Sequence, residues 1–169
     1  MQEHLQNIID NPSFLNEASL EVKETHISTV LIGENVYKFK KPIRLDFVDQ
    51  ESLESRALLC FEEWRLNRRL SPRVYLGVDL LARKEDRLKL FPWPGLEREP
   101  PAFSIVLSEV ESHGWTVQDI CVRMEHLADA NRLEEKVSEL DASDMDRLAE
   151  KIASFHRSLP SRPPSSGFG

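Results

Sequence analysis

Cysteine is scarce in this 169-residue chain: only Cys60 and Cys121 occur. They form no Cys-x-x-Cys pair, and no histidines stand around them at zinc-ligand spacing, so two buried apolar thiols are expected. Long apolar runs are missing as well. None approaches the ~20 residues that cross a bilayer. The start, Met1-Gln2-Glu3-His4, lacks the basic-then-apolar order of a signal peptide, so the expected compartment is the cytoplasm and no membrane partner is expected. Positive charge is in deficit, with 22 Lys and Arg against 29 Asp and Glu and a formal charge of -7. That balance argues against non-specific binding to nucleic acid or anionic lipid, while leaving room for a local basic patch. No G-x-x-x-x-G-K-[ST] occurs, which excludes a P-loop within these residues.

What is present suits one domain of ordinary size, or part of a larger one. Hydrophobic residues make up 40%, enough for a core, and charged residues 30%. Leu5 to Asn11 predicts a short helix stopped by Pro12. Ser19 to Lys41 is β-rich and reads as strand, loop, strand, tight turn at Gly33-Glu34-Asn35, strand, ended by Pro42. Gln50 to Leu70 carries apolar residues at three-to-four spacing and predicts a helix. Val74 to Leu81 and Leu88 to Phe91 predict a strand pair around a charged turn. Phe103 to Glu111 and Ile120 to Met124 read as further strands, with a proline-rich loop from Pro92 to Pro101. After Leu127 two helical stripes follow, Leu133-Val137-Leu140 and Met145-Leu148-Ile152-Phe155-Leu159, the second starting near Asp141. The tail from Pro160 is rich in proline, serine and glycine and is expected to be irregular. The sum is an α+β fold: about five antiparallel strands with one helix inserted after the third, then helices.

Two lysines stand out. In Val36-Tyr37-Lys38-Phe39-Lys40-Lys41, strand alternation points Lys38 and Lys40 to one face. An ammonium on a sheet face needs a counter-charge or a phosphate, and the following helix offers Glu62 and Glu63. Read alone, the lysines fit better as guards of an edge strand against aggregation. Arg65, Arg68, Arg69 and Arg73 form a second cluster, explained best as solvated cations at a helix end, with nucleic acid a weaker alternative.

A larger pattern links these pieces. Glu24-Thr25-His26-Ile27-Ser28, then Val36 to Pro42, then Cys60-Phe61-Glu62-Glu63-Trp64-Arg65 to Leu70, then Val74-Tyr75-Leu76-Gly77-Val78 occur in that order. The series resembles the N-terminal domain of bacterial proteins described as bifunctional aminoglycoside phosphotransferase/ATP-binding proteins. In those a protein-kinase-like domain precedes a P-loop ATPase domain. The resemblance covers roughly Leu5 to His156.

The resemblance implies a kinase-like N-lobe and hinge over 1–127, the first helices of a C-lobe over 128–159, and a tail over 160–169. It implies ATP as the cofactor. Lys38 is the implied phosphate-contacting lysine, with Lys40 the alternative, and Glu63 its helix partner, with Glu62 competing. Thr25 and Ser28 would flank the loop over the phosphates, which is not glycine-rich here and would rely on backbone N–H groups and these hydroxyls. Met124 and Glu125 would lie in the hinge beside adenine, with Met124 also readable as core packing. His26 would touch phosphate or act within its loop, and His156 would be structural. Kinases of this type need H-x-D-x-x-x-x-N and a further metal-binding Asp. Neither occurs, and the late carboxylates Asp141, Asp144 and Asp146 fit a helix start. The expectation is therefore a partial phosphotransferase domain with no catalytic or metal-binding residues of its own. Magnesium, the rest of the kinase domain and an ATPase domain would be partners outside these residues. A non-catalytic interaction module is the alternative.

Overall fold

The computed structural model describes residues 2–96, 100–128 and 133–160. It divides into two compact units, Met1–His126 and Leu127–Gly169.

The first unit opens with helix α1 (Glu3–Asp10), which seats Leu5 and Ile8 in the core. Asn11 leaves helical geometry, and Pro12 begins a single 3-10 turn, Pro12–Leu15. Proline suits that position because its missing N–H would be unpaired there anyway. Three strands follow as a meander: β1 (Glu21–Glu24), β2 (Ser28–Ile32) and β3 (Asn35–Lys40). They match the expected strand–loop–strand–turn–strand series. A two-residue ribbon then appears that the sequence did not signal, β4 (Arg44–Leu45) with β5 (Val48–Asp49).

Helix α2 spans Leu53–Asn67, shorter at both ends than the apolar spacing predicted. Ser52 caps it, accepting a hydrogen bond from Ser55 N at 3.0 Å, so the chain before Ser52 is released for other work. Strands β6 (Tyr75–Lys84) and β7 (Arg87–Pro92) form a hairpin, and β8 (Thr116–Glu125) completes the sheet.

Phe103–Ser112 is helix α3 and not the expected strand. Phe103, Val106, Leu107 and Val110 fall at helical spacing, and the core takes up that face by burying Val106 and Val110. Among its described residues the first unit therefore holds six antiparallel strands in one sheet and three α-helices, where about five strands, the short N-terminal helix and one inserted helix were expected.

The strand order is β1-β2-β3-β8-β6-β7. Both faces are covered. Helices α2 and α3 bury Ala57, Cys60, Trp64, Val106 and Val110 against Val78, Leu80, Ile120 and Val122. On the other face α1 and the 3-10 turn bury Leu5, Ile8 and Leu15 against Leu31, Tyr37, Phe39, Leu81 and Cys121. Both thiols are buried and free, as expected, and burial raises Cys60 to about 12.

Fully buried Asp119 joins elements from the two sides. It accepts from Arg56 Nε of α2 at 2.9 Å, from Gln2 Nε2 at 3.0 Å and from its own strand at Ile120 N at 2.9 Å, and pairs with His4 Nε2 at 3.1 Å.

In the second unit, Leu133–Glu139 is a 3-10 helix where an α-helical stripe was expected, and helix α4 covers Ala142–Ser158. Asp141 and Asp144 close a capping box at its start, which accounts for those carboxylates structurally. Except for Pro160, the expected irregular tail lies outside the described residues. No helix among the described residues is long and apolar enough to cross a membrane.

Candidate functional site

β3 lies between β2 and β8, so its lysines sit inside the sheet. The edge-strand explanation of Lys38 and Lys40 therefore fails. Alternation puts Tyr37 and Phe39 into the core under α1 and turns Lys38 and Lys40 toward α2. Two ammonium groups on a covered sheet face require a carboxylate, and Glu63 supplies it. Lys38 Nζ donates to Glu63 Oε1 at 2.8 Å and Lys40 Nζ to Oε2 at 2.7 Å. One residue earlier on α2, Glu62 pairs with Arg65 at the surface, which resolves the choice between the two glutamates as lysine partner.

Burial favours the neutral form of Glu63. The hydrogen bonds and charges of Lys38 and Lys40 outweigh it and hold the carboxyl below its ordinary range. The cluster holds two positive charges and one negative. Its net charge is therefore positive and suited to a further anion.

The β1–β2 loop closes beside this clamp. Ser28 is the cross-strand neighbour of Lys40, and Val30 that of Lys38. Thr25 is committed to the turn: its Oγ1 accepts from Ser28 N at 2.9 Å, and its N–H donates to Ser28 O at 2.9 Å. Ser28 is fully buried, and its hydroxyl has no hydrogen-bond partner among the described residues. His26 is exposed at the loop tip.

Gln50, buried just before α2, donates to Ile27 O and to Lys41 O, both at 2.9 Å. This amide ties the loop to the end of β3. It was not singled out from sequence, because a lone glutamine before a helix carries no motif.

At the other end of the site, Met124 lies opposite Val36 and Lys38 opposite Val122. Met124 therefore shares the lysine face, one two-residue step or about 7 Å along the strand, and packs against the core there. Glu125 ends β8, and its N–H is already donated to Val74 O at 2.8 Å. His126 Nδ1 lies 2.8 Å from Gly33 O; a carbonyl only accepts, so Nδ1 carries the proton.

Thus Lys38, Lys40, Glu63, Ser28 and Met124 gather on or beside one face, Thr25 folds the adjacent loop, and Glu125 closes the strand. His156 lies in the last turn of α4, in the second unit, with its ring edge-on to Phe155 at 5.9 Å. In the arginine cluster, Arg65 pairs with Glu62 and Arg68 stacks over Trp64 at 5.0 Å, so both serve local contacts. No group of three or more metal-ligating His, Cys, Asp or Glu side chains occurs among the described residues.

Comparison with known proteins returns little. No family model matches, and no solved structure matches. Three mycobacterial proteins, each described as an uncharacterized protein, are similar: Rv2004c and MT2060 of Mycobacterium tuberculosis and Mb2027c of Mycobacterium bovis. Each is 39% identical over 64 residues, which is 37% of this chain and 13% of the relative. The similarity thus spans about an eighth of those relatives' length.

Proposed function

We propose that the first unit is a nucleotide-binding lobe of the protein-kinase type, holding the phosphates of ATP for transfer to a small-molecule hydroxyl. The observation that carries this is the ion pair between a lysine of the third strand and Glu63 of the helix that follows, at 2.8 Å. That pairing is the working arrangement of kinases, where the strand lysine reaches the phosphates and the helix glutamate orients it. The strand order adds support, because the meander β1-β2-β3, the helix and the returning strand β8 beside β3 enclose the pair. The catalytic Asp and magnesium ligands of such enzymes have no counterpart in these residues, so this chain by itself is expected to bind nucleotide without transferring phosphate.

Calorimetric titration of ATP, with and without magnesium, into the full chain and into Lys38→Ala tests this. Binding should weaken about tenfold or more in the variant, the loss expected for one charge-assisted contact. A folded wild-type chain that takes up no ATP would sink the proposal.

One observation favours a second reading, a protein-interaction module. Helix α4 buries none of its residues, and Met145, Leu148 and Ile152 on its apolar stripe are exposed by 51%, 37% and 47%. A stripe of that kind is suited to docking against an apolar partner surface. A monomer at high concentration that binds no protein through this helix would count against it.

A further inference from the structure

The two lysines hold the same carboxylate but differ in exposure. Lys38 keeps 29% of its side chain accessible, Lys40 only 8%. An incoming anion needs a cation that can turn toward it without leaving a buried charge bare. Lys40 is poorly placed for that, being nearly enclosed and 2.7 Å from Glu63 Oε2. Lys38 is well placed. It reaches solvent, and the carboxylate it releases stays neutralised by Lys40. Among the described residues the cluster pairs two lysines with one carboxylate, so a polyphosphate chain would complete the balance.

We infer that Lys38 is the anion-contacting lysine, and that Lys40 is a positioning residue that keeps Glu63 ionised and in place while Lys38 turns to the phosphates. This rests on the nucleotide reading above. It adds a division of labour that the ordinary one-lysine pair does not have. A single lysine must share its charge between phosphate and glutamate, whereas here each partner has its own.

The test uses the full chain with isotope-labelled lysine and glutamate side chains, followed by NMR. Tripolyphosphate without magnesium is the probe, because it isolates the phosphate chain from the base. The Lys38 Cε and Nζ signals should move on titration while those of Lys40 stay. The Glu63 carboxyl should still titrate below its ordinary range when the probe is bound. In Lys40→Met the probe should raise that titration midpoint more than in wild type, a response that a merely structural lysine would not produce. Lys38→Met should lose at least about tenfold in affinity, and Lys40→Arg should stay within about threefold of wild type.

Movement of the Lys40 signals with Lys38 unmoved would overturn the inference and leave ATP binding standing. A folded chain that binds neither ATP nor tripolyphosphate would overturn both. If Lys40→Met does not fold, the wild-type shifts decide alone.

Discussion

Glu17 shows how one side chain can set a turn. It is only 6% exposed and accepts from Glu34 N at 2.7 Å, Asn35 N at 3.1 Å and Tyr37 Oη at 3.4 Å. Burial and the Glu17 charge together raise Tyr37 to about 12, so its phenol stays protonated and available as a donor. Gly33 exists because of this carboxylate: a Cβ there would stand 2.4 Å from Glu17 Oε2. Gly33→Ala should therefore destabilise the fold by about 1–3 kcal/mol through overpacking. Glu17→Ala should cost about as much, by leaving two N–H groups and a hydroxyl without their acceptor. The two losses should not add. With Glu17 already truncated the alanine has room, so urea denaturation of the double variant should show a coupling of about 1 kcal/mol or more. Additive losses would mean that the hairpin is held by something other than this contact.

Between elements, the clamp of β3 to α2 gives the fold a defined acid response. The Glu63 carboxyl titrates lower in the folded chain than in the unfolded one, so on acidification the unfolded state takes up the proton first. The stability it supplies is complete above the unfolded value, about 4.3, and is lost as pH falls through the folded value. Asp79 works the other way. Burial raises it against the opposing pull of Arg123, and such a group favours the folded state as pH falls. Comparing wild type with Glu63→Gln separates the two, because Asp79 is common to both. The variant should be weaker by about 1–3 kcal/mol at pH 7. The gap should narrow below pH 4–5 in urea midpoints, and a gap independent of pH would show that the carboxylate charge does not hold the clamp. This element-level site was partly legible in sequence. Alternation placed Lys38 and Lys40 on one face, and the glutamate pair was visible on the next helix. The preference for Glu63 over Glu62 came from the family resemblance and not from spacing, because adjacent helix positions differ by the 100° that only packing resolves. Helix α3 was misread because Phe103 to Glu111 satisfies both a period of two and a period of 3.6 over so short a stretch. The roles of Asp119, Gln50 and Glu17 were hidden for a different reason. Each binds residues remote in sequence, and no local pattern marks such a contact.

At the scale of the whole molecule, the first unit builds its buried core from its own described residues. Among the described residues, the members of both buried clusters come from Leu5 to Met124, and each sheet face has its own helical cover within residues 1–126. Arg56, Asp119 and His4 link those covers through hydrogen bonds that lie within residues 1–126. The lysine–glutamate clamp and the loop beside it lie within them too. Residues 1–126 expressed alone should therefore keep a cooperative thermal transition and bind tripolyphosphate within about threefold of the full chain, a change of under 1 kcal/mol. Circular dichroism melting and the calorimetric titration used for ATP measure the two quantities. Folding with lost anion binding would move part of the site into residues 127–169. A piece that does not fold would mean that the sheet needs those residues to complete its core, although no described residue among them belongs to a buried cluster. Survival of both properties would locate the binding activity in the antiparallel sheet and its three helices, and leave the apolar stripe of α4 to be explained by a partner surface rather than by the nucleotide.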